Sequence, residues 1–151
     1  GGIRMSNRET ILAAFKTMLE SVTLANGFES EVTRVVRKMV MLDDPTISFP
    51  VLMVLGGGEI FEDTLGSKTL SRLSIKIMGY TKEESEPEVS LNKLIRDVIV
   101  ILESPTYNTY SSKYRPIRLD TDEGWLNLEL SGLALFEYIV EVIYMFNRDN
   151  P

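Results

Sequence analysis

Leu133-Ala-Leu-Phe-Glu-Tyr-Ile-Val-Glu-Val-Ile-Tyr-Met-Phe146 is dense in aromatic and β-branched residues, which suit a pleated surface better than a helix. Glu137 and Glu141 stand four apart, a spacing that shares a face in either structure, so composition decides and the segment reads as a long strand. Its alternating faces are both apolar, broken on one side only by those two glutamates. A one-sided sheet would show a polar outer face. The strand is therefore expected to need cover on two sides, with helices on one and a subunit contact at or beside the other.

Working outward, the rest of the chain supplies a sheet and its helices. Ser6-Asn-Arg-Glu9 fits a capping box, and Ile11, Leu12, Phe15, Met18, Leu19 and Val22 follow at helical spacing up to Asn26-Gly27. Glu31 to Val40 reads as a first strand near an edge. Asp43-Asp44-Pro45 reads as a turn. Ile47 to Leu55 is a second strand whose Pro50 implies an edge or an irregular start. Leu70 to Tyr80 alternates cleanly, with Leu73, Ile75 and Ile77 opposed to Arg72, Ser74 and Lys76. The stretch 56–69 between these strands reads as a long loop, of a length that is usually functional or disordered.

A second capping box, Ser85-Glu-Pro-Glu88, opens a helix through Val89, Leu91, Leu94, Ile95, Val98, Ile99, Ile101 and Leu102 that stops at Ser104-Pro105. A tyrosine-bearing loop from Tyr107 to Tyr114 leads to strands at Pro116–Asp120 and Trp125–Leu130, before the last at Leu133–Asn147. The expected fold is α+β: an antiparallel or mixed sheet of about four to six strands, with two α-helices packed on one face. Gly1-Gly2-Ile3-Arg4 reads as the remnant of an expression tag, with no secretory signal, and 5–151 as a single domain.

Composition narrows the chemistry. The 151 residues hold 22 acidic and 16 basic side chains, a net charge of −6, which disfavours a protein that grips phosphate backbones. Neither cysteine nor histidine occurs, so disulfides, thiolate nucleophiles, Cys/His zinc sites and histidine-based triads are excluded. No apolar run is long enough for a spanning helix.

The remaining candidates are surfaces. Gly56-Gly57-Gly58 lacks the Gly-Lys-Ser/Thr and the following helix of a phosphate loop, and reads as a hairpin tip. Within that loop Glu59, Ile60, Phe61 and Leu65 are candidate partner contacts, the apolar members being unsuited to solvent. Asp120-Thr-Asp-Glu-Gly124 opens like a calcium loop without completing one. The glutamates Glu83, Glu84, Glu86 and Glu88 suit a helix N-terminus, or form an acidic surface with Glu137 and Glu141. Arg34, Arg37 and Lys38 are a basic cluster suited to solvent or to an acidic neighbour. Trp125, Tyr107, Tyr110 and Tyr114 lack a basic stripe, so core or interface packing is expected of them.

The succession Ile11–Val22, Arg34–Met39, Ser48–Leu55, Leu73–Tyr80, Leu91–Leu102 and Tyr138-Ile-Val-Glu-Val-Ile-Tyr144 resembles the tail terminator (tail completion, minor tail protein U-like) proteins of long-tailed phages. The resemblance is one of pattern and size over nearly all of Met5 to Asn147. It implies a non-enzymatic virion protein without cofactor or metal, assembled in the host cytoplasm. Such a protein forms a ring, expected to be a hexamer, at the head-proximal end of the tail. Its expected partners are the tail tube protein and the head connector or stopper, with DNA passing through without sequence-specific binding and with no membrane role. On that reading Glu59, Ile60, Phe61 and Leu65 meet the tube, while Glu137, Glu141, Arg34, Arg37 and Lys38 face the lumen or a neighbouring subunit. A stopper protein of the same neck and a non-viral protein-binding module are the alternatives.

Overall fold

The structure is a computed structural model that describes residues 6–41, 44–64, 66–121 and 132–151. Helix α1 spans Asn7–Leu19, followed by a 3₁₀ turn at Leu24–Asn26; strands β1 (Arg34–Val36), β2 (Val51–Asp63) and β3 (Lys68–Lys82) come next. Helix α2 (Pro87–Glu103), β4 (Tyr114–Thr121) and β5 (Leu133–Asn147) complete the order. Among the described residues five strands form one mixed sheet in the order β1-β2-β3-β5-β4, with β1 and β2 parallel and the other neighbours antiparallel. The protein is an α+β fold.

The two apolar faces of β5 have different covers. On one face Ala134, Phe136, Tyr138, Val140, Val142 and Tyr144 align with Leu73, Ile75 and Ile77 of β3 and with Leu52 and Val54 of β2. Both helices pack here, α1 through Leu12, Phe15 and Leu19, α2 through Leu94, Val98, Ile101 and Leu102, all buried. On the other face Leu133 and Leu135 join Val36, Val51, Met53 and Tyr80 under Val40, Ile47 and Phe49 of the segment between β1 and β2. Part of the second face is thus covered within the chain, and among the described residues the part from Glu137 onward has no such cover.

Local sequence explains most element ends. Ser6 Oγ accepts the Glu9 amide at 3.1 Å, as a cap should. The Glu9 carboxylate does not complete the box and binds Arg37 instead, at 2.6 Å. The expected box before α2 does not form: Glu86 is the N-cap residue without a side-chain bond, Ser85 Oγ donates to Glu83, and Pro87 opens the helix. Strand β1 is shorter than expected, only three residues, and it does lie at the sheet edge. The expected long loop 56–69 is mostly strand: β2 continues through the three glycines to Asp63 and β3 begins at Lys68. The tag remnant with Met5, Asp43 of the predicted turn, Leu65, the segment from Asp122 to Gly124, Trp125 and the predicted strand 125–130 lie outside the described residues.

Gly79 is a packing requirement of the central sheet. A Cβ there would sit 2.3 Å from Phe136 Cε1 and 2.9 Å from Leu52 Cδ2, inside the closest contacts that carbon atoms tolerate. The Phe136 ring is fully buried and cannot swing away. Gly79→Ala is expected to lower stability by about 1–3 kcal/mol, the usual cost of overpacking a core, measured by chemical denaturation; an unchanged midpoint would contradict this packing.

Candidate functional site

Two surfaces carry the chemistry that the core does not use: the far end of the β2–β3 hairpin and the open face of β3 and β5. The hairpin continues past the helices because β3 and β5 stay paired up to Lys68 and Asn147. Near its end Ile60 is 64 % exposed and Phe61 62 %, on opposite faces of β2, and Met145 of β5 is 54 % exposed on the Ile60 face across β3. Phe61 meets Phe146 edge-on with ring centroids 5.8 Å apart, and Phe146 in turn meets Tyr144 at 5.9 Å. This aromatic ladder stiffens an otherwise narrow projection.

Glu59 belongs to the same segment but points inward, its side chain only 10 % exposed. Its carboxylate accepts hydrogen bonds from Ser71 Oγ at 2.5 Å, Tyr144 OH at 2.6 Å and Arg8 Nη1 at 3.1 Å. It is therefore a structural carboxylate at the base of the tip rather than a direct contact. Burial by itself raises its pKa, but the three donors outweigh burial and hold the group below the ordinary carboxylate value. The Tyr144 hydroxyl responds oppositely: burial and the bond to Glu59 push it up to about 12.

Glu137 and Glu141 lie on the open face, as expected, but not as bare charges. Lys76 Nζ stands 3.6 Å from Glu137, while Arg72 Nη1 and Arg115 Nη2 stand 3.9 and 3.7 Å from Glu141. Arg72 Nε also lies 2.9 Å from Glu62, and Arg118 Nε lies 2.6 Å from Asp120. Each acid on the face thus has a basic neighbour on the same or an adjacent strand. Ile139, Ile143 and Met145 of β5 interleave with these pairs and line up against Lys76, Arg72 and Leu70. The face is charge-balanced and part apolar, so it is not an acidic surface. Glu83, Glu84, Glu86 and Glu88 do not join it, being placed around the start of α2.

The basic cluster is divided. Arg37 is internal linkage, its Nε donating to Val54 O at 2.9 Å and its Nη1 to Glu9 at 2.6 Å. Arg34 and Lys38 remain exposed and make no ion pair within 4 Å among the described residues. With Lys16, Val35 and Val36 they line a shallow groove of about 430 Å³ at the sheet edge. Strands β2 and β3 separate this edge from β5, so the basic cluster and the Glu137/Glu141 pair do not converge within one molecule. The tyrosines serve packing: Tyr110 stacks on Phe15, Tyr107 meets Phe28 edge-on, and the Tyr114 and Tyr138 hydroxyls share a 2.6 Å hydrogen bond. Among the described residues no group of three or more acidic, His or Cys side chains could hold a metal ion.

Sequence reasoning missed the buried polar groups. Asp97 is fully buried and accepts the Ser30 amide at 2.7 Å. Asn108, also fully buried, donates to Leu102 O at 2.7 Å and accepts the Tyr110 amide at 2.9 Å, closing the turn after α2. Asp97 had a signal: it stands on the helix face of Leu94, Val98 and Ile101, where a carboxylate must find an internal donor. Arg8, Ser71 and Tyr144 had none, because only the fold brings them to Glu59. No protein-family model matches this sequence, and no curated protein matches it.

The lowered pKa of Glu59 sets a pH dependence. A carboxylate depressed in the folded state stabilises fully above its unfolded pKa, near 4.3, and the contribution fades as pH falls through the lower folded value. Glu59→Gln is expected to be less stable than the parent at pH 7, with the gap narrowing below about pH 4. Denaturation midpoints of both proteins from pH 7 to pH 3 would show this; a gap constant across that range would refute it.

Proposed function

We propose that this chain is a non-enzymatic tail terminator of a long-tailed phage, a virion protein that assembles as a ring on the end of the tail tube. The ring, of which six copies is the expected number, stops tube growth and offers a docking surface to the head connector, while DNA passes through its opening. The reading rests on the resemblance of sequence pattern and size, and the α+β fold is compatible with it. The observation that carries the assembly is the open face of β3 and β5, where Ile139, Ile143 and Met145 lie between ion pairs that are already neutralised. Burying such a face against another protein surface costs less than burying unpaired charges.

Glu137 and Glu141 are accordingly assigned to a subunit contact rather than to a DNA-repelling lumen. Arg34 and Lys38, at the other edge of the sheet, suit acidic side chains of a neighbouring copy. A contact between two different surfaces is heterologous, and it closes into a ring when the rotation per copy returns on itself. Ile60 and Phe61 at the hairpin end are assigned to the tube.

Negative-stain images and native mass spectra of the purified protein are expected to show a ring with a central hole. A monomer at high concentration, with and without magnesium and tube protein, would overturn the proposal. Replacing Ile60 and Phe61 together by serine is expected to leave the ring intact and to weaken capture of tube protein tenfold or more, each being a large apolar contact worth about 1.5–3 kcal/mol when buried. Unchanged capture by an intact ring would remove the hairpin end from the tube contact.

A further inference from the structure

The run Gly56-Gly57-Gly58 is explained by neither a phosphate loop nor a tight turn, since β2 runs straight through it. The register of β2 against β3 shifts between Gly56 and Glu59, so the strand carries an irregularity at its least restrained point. Two of the glycines are closely approached. A Cβ on Gly56 would lie 2.6 Å from Arg8 Nη2 and 3.1 Å from Leu12 Cδ1, and one on Gly57 would lie 3.0 Å from Ser74 Cβ. Gly58 has nothing within 4 Å of the corresponding position.

The missing side chain at Gly56 leaves a slot, and the Arg8 guanidinium fills it. From there Nη2 donates to Gly57 O at 2.7 Å and Nη1 to Glu59 Oε1 at 3.1 Å, one bond within the shifted stretch and one where regular pairing resumes. Glu59 carries the connection onward to Ser71 of β3 and Tyr144 of β5. Arg8 itself is fixed by the first turn of α1, where Asn7 donates from its amide to Pro151 O at 3.0 Å and from Nδ2 to Asn150 O at 3.1 Å. Beyond this point neither β1 nor β4 flanks the hairpin, because β1 reaches only Met53 on β2 and β4 only Val142 on β5.

We infer that Arg8 is a positioning residue for the distal hairpin: seated in the glycine slot, it spans the irregularity in β2 and fixes the pose in which Ile60 and Phe61 meet a partner. Glycine supplies the pivot, since it restricts the backbone least. The planar fork supplies the lock, since it can hold a carbonyl and a carboxylate at once. That the partner is a tail tube rests on the function proposed above; the lock does not.

Hydrogen exchange followed by mass spectrometry tests it on the intact protein. Arg8→Ala is expected to speed exchange at 59–72 about tenfold or more, the value of losing charge-assisted bonds, while 133–142 stays unchanged. Gly56→Ala, whose methyl displaces the guanidinium, is expected to do the same, and the double variant to exchange no faster than either single one. Unaltered exchange at 59–72, equal acceleration across the whole sheet, or additive effects would each overturn the inference. Arg8→Lys, which keeps the charge without the fork, gives intermediate exchange if the inference holds, and serves if Arg8→Ala does not fold. Loss of tube capture by an intact Arg8→Ala ring would extend the lock to binding. Absence of any ring in the parent protein would remove the tail-terminator reading alone.

Discussion

Lys68 to Lys82 and Leu133 to Asn147 pair residue for residue, without a bulge, over the full length of β3 and β5. Everything else in the molecule is arranged around that ladder. Side chains alternate across a strand, so a slip of one residue would send Leu73, Ile75 and Ile77 to the open face and bring Arg72 and Lys76 under the helices. The ladder sets the helix-side core, which α1 and α2 cover from β2 to β5. It also aligns Ser71 with Tyr144 under Glu59, and it carries the hairpin past the end of the helices.

The same alternation divides the second face into two regions with different fates. At the Leu133 end the chain covers itself, folding Ile47 and Phe49 over Val51, Tyr80 and Leu135. From Glu137 onward nothing among the described residues covers the sheet, and apolar side chains alternate with ion pairs. Glu141 is itself mostly buried between its arginines, while the pairs that stand in water add little to stability because water screens them. Their larger effect is to leave a surface without net excess of either sign, which another protein can approach without meeting unpaired charge.

Arg8 and Glu59 make a different use of charge. There the carboxylate is mostly removed from water and surrounded by donors from three elements, so the bonds are short and the group is held ionised. The cluster joins the first turn of α1, the irregular part of β2, the start of β3 and the end of β5. Since those elements are far apart in sequence, the cluster depends on the whole sheet being formed, and in turn restrains the part of the sheet that the helices leave bare.

Much of this was legible in the residues. The bounds of β5 follow from its aromatic and β-branched content, the faces of β3 from strict alternation, and the core side of α2 from Leu91, Leu94, Ile95, Val98, Ile101 and Leu102. Local rules were less reliable where tertiary partners compete: Glu9 left its capping role for Arg37, and Ser85 turned to Glu83 instead of capping α2. Three glycines in a row signalled a loop, because glycine alone disfavours a strand; pairing with β3 and the room that Gly56 makes for Arg8 overrode that preference. Periodicity and composition determined which segments are strands and helices and which faces are apolar, because those depend on near neighbours. Only the tertiary structure decided that the Glu59 side chain turns inward, that Glu141 is flanked by Arg72 and Arg115, and that the basic edge stands apart from β5, because those depend on strand order and register between distant segments.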